Sequence, residues 1–118
     1  MPVAVPRVGG TTQAAFAFRD AAEVLTSPGG VDVKIVDEAG NEESITDSDV
    51  RVTIGTTLAE ANRDRLGITA AENTAGTGLV TVNVTPDNPG WWTVFCDATS
   101  TVDGSAAVKF KVYAETEV

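Results

Sequence analysis

The sequence predicts an all-β chain: an antiparallel β-sandwich with one short helical insert at about residues 57–67. Three observations carry that expectation. Apolar side chains recur at every second position through six or seven short segments, the period of a half-buried strand. Clusters of Gly, Pro, Asn and Asp separate those segments where turns are needed. One stretch, Thr56 to Gly76, abandons the alternation and opens on helix formers. The 118 residues make one domain, able to bury roughly two-thirds of the surface its unfolded chain exposes.

Residues 1–10 hold two prolines and two glycines and read as an extended N-terminal arm. The sandwich then occupies residues 11–118. Thr11 to Phe18 alternates, with Ala14, Phe16 and Phe18 on the inward face and Gln13, Ala15 and Ala17 on the other. Arg19 to Gly30 is a connection, with Ala21–Leu25 either a short helical turn or a loop. Val31, Val33 and Ile35 share one face of a second strand, and Glu38–Asn41 makes a turn with Gly40 where φ > 0 is wanted. Glu42–Thr46 returns as an edge strand whose charges discourage sheet-to-sheet aggregation. Another short strand begins between Asp49 and Thr53. In the insert, Thr57 and Glu60 have the spacing of a capping box. Leu58, Ala61 and Leu66 fall near one helical face, and Gly67 sits at the C-terminal stop. Residues 69–78 read as a loop.

The closing strands are the clearest: Gly78–Thr85, Trp91–Ala98 and Ala107–Ala114, with the Pro86–Gly90 corner after the first. They are expected to pair in succession. Val80, Val82, Val84, Trp92, Val94, Cys96, Val108, Phe110 and Val112 form the buried face. Burying each large apolar side chain contributes roughly 1.5–3 kcal/mol. Thr81, Asn83, Thr93, Asp97, Lys109 and Lys111 make the opposite face wet. Trp91, Phe95 and Tyr113 are apolar exceptions on it.

Composition excludes several kinds of chemistry. The formal charge of −9 repels phosphate backbones, so nucleic acid is not an expected partner. There is no histidine, which removes Ser-His and Cys-His relays and Cys/His zinc sites. Cys96 is the single cysteine and sits among apolar neighbours, as a buried small hydrophobe would. Neither GxxxxGK[ST] nor GxGxxG occurs. Asp37, Glu38, Glu42, Glu43, Asp47 and Asp49 supply oxygens for a calcium loop, but their spacing departs from the twelve-residue pattern. No cofactor is expected, and no enzyme activity. Asn83-Val84-Thr85 matches a glycosylation sequon inside a strand and reads as coincidence. The N-terminus lacks the charged lead and apolar run of a signal peptide, and no window reaches the length of a membrane span. A soluble protein made in a cytoplasm is the expectation.

An exposed aromatic patch on a sheet marks a contact surface. Trp91, Phe95 and Tyr113 are therefore the first candidate contact residues, joined by Val3, Val5 and Val8 of the arm and by Leu58 and Leu66 of the insert. The intramolecular alternative puts Trp91 over the sandwich end and Phe95 under the insert. A sugar platform is a third reading of the same rings.

Pro89-Gly90-Trp91-Trp92-Thr93-Val94, then Cys96-Asp97-Ala98-Thr99 and Ala107–Val112, resemble the closing strands of bacterial and phage immunoglobulin-like domains. The Val33–Asn41 hairpin and the strand ending Phe16-Ala17-Phe18-Arg19-Asp20-Ala21 are similar to the opening of such domains. The resemblance covers about two-thirds of the chain, and the 56–76 insert departs from it. It implies an immunoglobulin-like sandwich and a setting among the small virion proteins of tailed bacteriophages. The implied role is a structural virion protein, first of all a capsid decoration or cement protein. Its partners would be the major capsid protein, other virion proteins or its own copies, with no membrane or nucleic acid contact. A tail or head–tail joining component is the alternative within that setting; a carbohydrate-binding or adhesion module is the alternative outside it.

Overall fold

The computed structural model describes residues 6–73, 78–99 and 104–114. Its chain forms β1 (Thr12–Ala17), β2 (Val31–Val36), β3 (Glu42–Thr46), β4 (Val52–Ile54), α1 (Glu60–Arg65), β5 (Leu79–Val84), β6 (Gly90–Ala98) and β7 (Ser105–Val112). The strands make two antiparallel sheets, one ordered β1-β5-β4 and the other β3-β2-β6-β7. The all-β expectation and the returning edge strand β3 agree with this.

The three closing strands are not consecutive neighbours. β5 is the middle of the small sheet, between β1 and β4, whereas β6 and β7 form a hairpin in the large sheet. The reason lies in the corner between them. Pro86 is fully buried there and Gly90 holds φ +129°. Two prolines that cannot donate to a ladder carry the chain across the sandwich instead of folding it back beside β5. Val80, Val82 and Val84 still face Trp92, Val94 and Cys96, but from the opposite sheet. With Ala14, Phe16, Phe18, Val31, Val33, Ile35, Val52 and Val112 they form the main core. Val108 and Phe110 are half-buried at its edge.

A second core lies on the other side of the small sheet. Ala15, Leu58, Ile68 and Leu79 are buried together, with Ala17, Leu25 and Leu66 packed against them. The 56–73 segment roofs part of this sheet, so Thr81, expected to be wet, is only 3% exposed, while Gln13 and Thr53 on the same outer face stay exposed. Three groups hold the roof. The Asn73 side-chain amide accepts from the Leu58 N–H (2.7 Å) and donates to the Leu58 carbonyl (3.0 Å). Arg65 donates to the Ala15 carbonyl at 2.7 Å, and Arg19 pairs with Glu72 at 3.0 Å.

That clamp also shortens the expected 57–67 helix to Glu60–Arg65 and displaces its start. Leu58 is drawn into the second core with its backbone groups engaged by Asn73. Ala59 becomes the N-cap, in extended conformation and without a side-chain bond, so the Thr57–Glu60 capping box does not form. Ala61 is exposed. The C-terminal stop forms as expected. Gly67 takes φ +68°, its N–H bonds Asp64, and the Ile68 N–H bonds Arg63, the paired bonds of a Schellman motif. β4 starts later than Asp49. The Asp49 carboxylate accepts the Arg51 N–H at 2.9 Å, and residues 47–51 form a turn before it.

Candidate contact surface

The two sheets have unlike outer faces. The small sheet is roofed in part by the insert, while the outward face of β6 and β7 is bare. The two-residue period decides what stands there: Trp92, Val94 and Cys96 point inward, so Trp91, Thr93, Phe95 and Asp97 point out. Trp91 is 54% exposed and Phe95 40%. Tyr113 follows the outward residues Lys109 and Lys111 at the end of β7 and is half-buried. The structure therefore brings Trp91, Phe95 and Tyr113 onto one face. Phe95 does not sit under the insert, which covers the other sheet.

The pairing register adds cations to this face. Trp91 lies opposite Lys111, Thr93 opposite Lys109, and Phe95 between Lys34 and Ala107. The Lys109 ammonium stands 5.2 Å from the Trp91 ring centroid, and that of Lys111 is 5.1 Å from the Tyr113 ring. Both are cation–π distances. Lys34, Lys109 and Lys111 are all the lysines of a chain carrying −9, and all three share this face. The alternation alone puts Lys109 and Lys111 on the outward side but does not link them to the rings. Their i, i+2 spacing beside Tyr113 is the available signal, but the register that sets Lys109 over Trp91 is not local. Towards β3 the face sinks into an open depression of about 330 Å³ bordered by Asp32, Lys34, Ser44, Thr46 and Asp97.

The remaining candidates divide. Val8 packs against the main core, and its N–H donates to the Tyr113 carbonyl at 3.0 Å. Val3 and Val5 lie outside the described residues. Leu58, 6% exposed, and the half-buried Leu66 turn inward to the second core. Leu58 lines no outward surface, and Leu66 adds little to one.

The acidic residues serve local structure. The Asp37 carboxylate accepts from the Ala39 N–H at 3.0 Å and from the Asn41 N–H at 2.8 Å, closing its own turn. Arg51 forks onto Glu43 (3.0 and 2.8 Å) and onto Asp49 (both contacts 3.0 Å). Hydrogen bonds from that guanidinium lower the Glu43 carboxyl and hold Asp49 at about 2, and the two acids in turn raise Arg51. Among the described residues, no three His, Cys, Asp or Glu side chains gather as a metal site. Cys96 is buried, and burial, helped by the Asp97 charge, pushes its thiol up to about 12. No described helix is long and apolar enough to cross a membrane. No family model, curated protein or solved structure matches this chain.

Proposed function

We propose that this is a structural contact protein that docks through the outward face of β6 and β7. One observation carries the reading: two large rings, Trp91 and Phe95, stay exposed on a sheet face, whereas the apolar outward residues of the other sheet, Ala15, Ala17 and Leu79, are roofed by the insert. Isolated exposed apolar residues are ordinary, but rings sharing one face with lysines make a desolvatable centre with a charged surround. Such a face attaches to protein. It works by shape, apolar burial and charge rather than by a reaction.

The setting we infer is the particle of a tailed bacteriophage, with the protein as a capsid decoration or cement subunit. The support is the resemblance of Pro89–Val94 and Ala107–Val112 to phage immunoglobulin-like domains. The sheet orders β1-β5-β4 and β3-β2-β6-β7, with Pro6–Val8 beside the end of β7, support the immunoglobulin-like reading. A head–tail or tail component would use the same face at a lower copy number. A sugar platform has less support, because Lys109 and Lys111 already lie over the Trp91 and Tyr113 rings where a sugar would stack. Quantifying the protein in purified particles, with and without the Trp91→Ser and Phe95→Ser pair, tests the reading. A fixed stoichiometry that the folded double variant loses is the expected result. Protein found only outside particles, or undiminished binding of the variant, would overturn it.

A further inference from the structure

The large sheet ends on two edges that complement each other. β3 forms one edge and β7 the other. The registers align in straight rows across all four strands: Thr46–Asp32–Asp97–Ser105, Ser44–Lys34–Phe95–Ala107 and Glu42–Val36–Thr93–Lys109. Each neighbouring pair is antiparallel, so β3 and β7 run in opposite directions. A second copy shifted along the rows thus sets its β3 antiparallel to β7 with the same face outward. Ser105 then meets Thr46 of the next copy, Ala107 meets Ser44, and Lys109 meets Glu42. Hydrogen-bonded and non-hydrogen-bonded pairs alternate along a row, and four strands bring that alternation back into phase. The backbone ladder can therefore continue in this same register.

Charge selects this junction over the others. Two β3 edges together would gather two copies of Glu42 and Glu43 with no cation on either strand, and two β7 edges two copies of Lys109 and Lys111 with no acid on either strand. Only β3 against β7 joins unlike charges, which stabilises a cross-strand pair where like charges weaken it. The edge has room. Pro6 and Val8 bond the chain only at Tyr113, so among the described residues Ser105–Lys111 of β7 carries no strand on its outer side. Glu42 already contacts Lys34 at 3.5 Å, so in the junction it would lie between two lysines.

We propose that the protein self-associates head to tail, β7 of one copy pairing with β3 of the next. The interface is heterologous, and sheet twist turns the translation into a screw, so the product is a ring or a filament and not a two-fold dimer. This rests on strand edges and is read from self-association rather than from particle binding, with Lys109 the residue it shares with the ring face.

Sedimentation velocity on the full chain at rising concentration tests it. Wild type should grow past the dimer. Glu42→Lys and Lys109→Glu should each weaken association by roughly tenfold. Both positions are exposed, and circular dichroism verifies that each variant is folded. A one-to-one mixture of the two variants should assemble again, because every junction then joins one acidic and one basic side chain. A chain that stays monomeric to its solubility limit, one that stops at a dimer, or a mixture no more associated than its components would overturn the proposal.

Discussion

At Gly78 there is no space for a side chain: a Cβ would stand 2.4 Å from the Phe18 carbonyl oxygen and 2.5 Å from that of Thr26. Both obstacles are backbone and cannot turn aside. Gly78→Ala should cost about 1–3 kcal/mol in urea unfolding, as overpacking does elsewhere; an unchanged midpoint would contradict the close approach. Cys96 makes the opposite demand, for shelter. With its thiol pushed up to about 12 and no exposure, it should resist iodoacetamide at pH 8 in the native protein and react once unfolded. Arg51 sets a pH dependence. Its bonds hold the carboxyls of Glu43 and Asp49 below their ordinary values of 4.5 and 3.8, with Asp49 at about 2. A depressed acid stabilises the fold above its unfolded value, and that contribution is lost as pH falls through the folded one. Stability should therefore hold at neutral pH and decline from about pH 4.5 towards pH 2. Glu43 is exposed and Asp49 half-buried at the surface, so solvent screens the pairs and the effect is modest. Arg51→Met should narrow the gap between urea midpoints at pH 6 and pH 3; an equal gap in both proteins would count against the pairing.

At the scale of elements, the insert and β5 share the second core, and this predicts an unusual sensitivity. Leu79 is fully buried on the roofed side of the small sheet, away from the main core. Leu79→Ala should cost about 3 kcal/mol, within the range for truncating a fully buried leucine. Asn73→Ala, which frees both backbone groups of Leu58, should cost about 1–2 kcal/mol and lower the protection of the Leu58 amide in hydrogen exchange. A small sheet with a wet outer face would tolerate both. The sequence made strand faces legible, since a side chain at Val82 or Val94 needs only its own period to be placed. It did not disclose which sheet a strand joins, because the inward faces of both sheets carry the same period. Nor did it disclose the second core. Ala15, Ala17 and Thr81 look like solvent-facing positions, and the residues that cover them, Leu58, Leu66 and Ile68, come from the one segment without alternation. Thr57 and Glu60 had capping spacing, but the pull of Leu58 into that core outweighed a local signal of about 1 kcal/mol.

For the whole molecule, the insert-covered and the bare faces give the sandwich two unlike sides. The rings on the bare side were readable from parity alone, whereas the lysines over them needed the β6–β7 register. Beside the end of β7, the Val8 N–H donates to the Tyr113 carbonyl (3.0 Å), the Tyr113 N–H to that of Pro6 (2.9 Å), and the Gly9 N–H to that of Pro86 (2.9 Å). Val8 adds partial burial against the main core. Three backbone bonds at about 0.5–1.5 kcal/mol each, with a half-buried valine, come to roughly 2–5 kcal/mol. A domain of this length has a total of about 6–18 kcal/mol. Removing residues 1–10 should therefore lower the urea midpoint clearly yet leave a cooperative transition. Phe16, Val82 and Val94 of the main core stay in place without the arm. The truncated chain would lose the packing around Tyr113, next to the ring face, and so dock its partner more weakly even when folded. A chain that cannot fold without residues 1–10 would show that the arm is an essential strand of the sandwich. A chain with an unchanged midpoint would show that its contacts with Tyr113 and Pro86 contribute nothing.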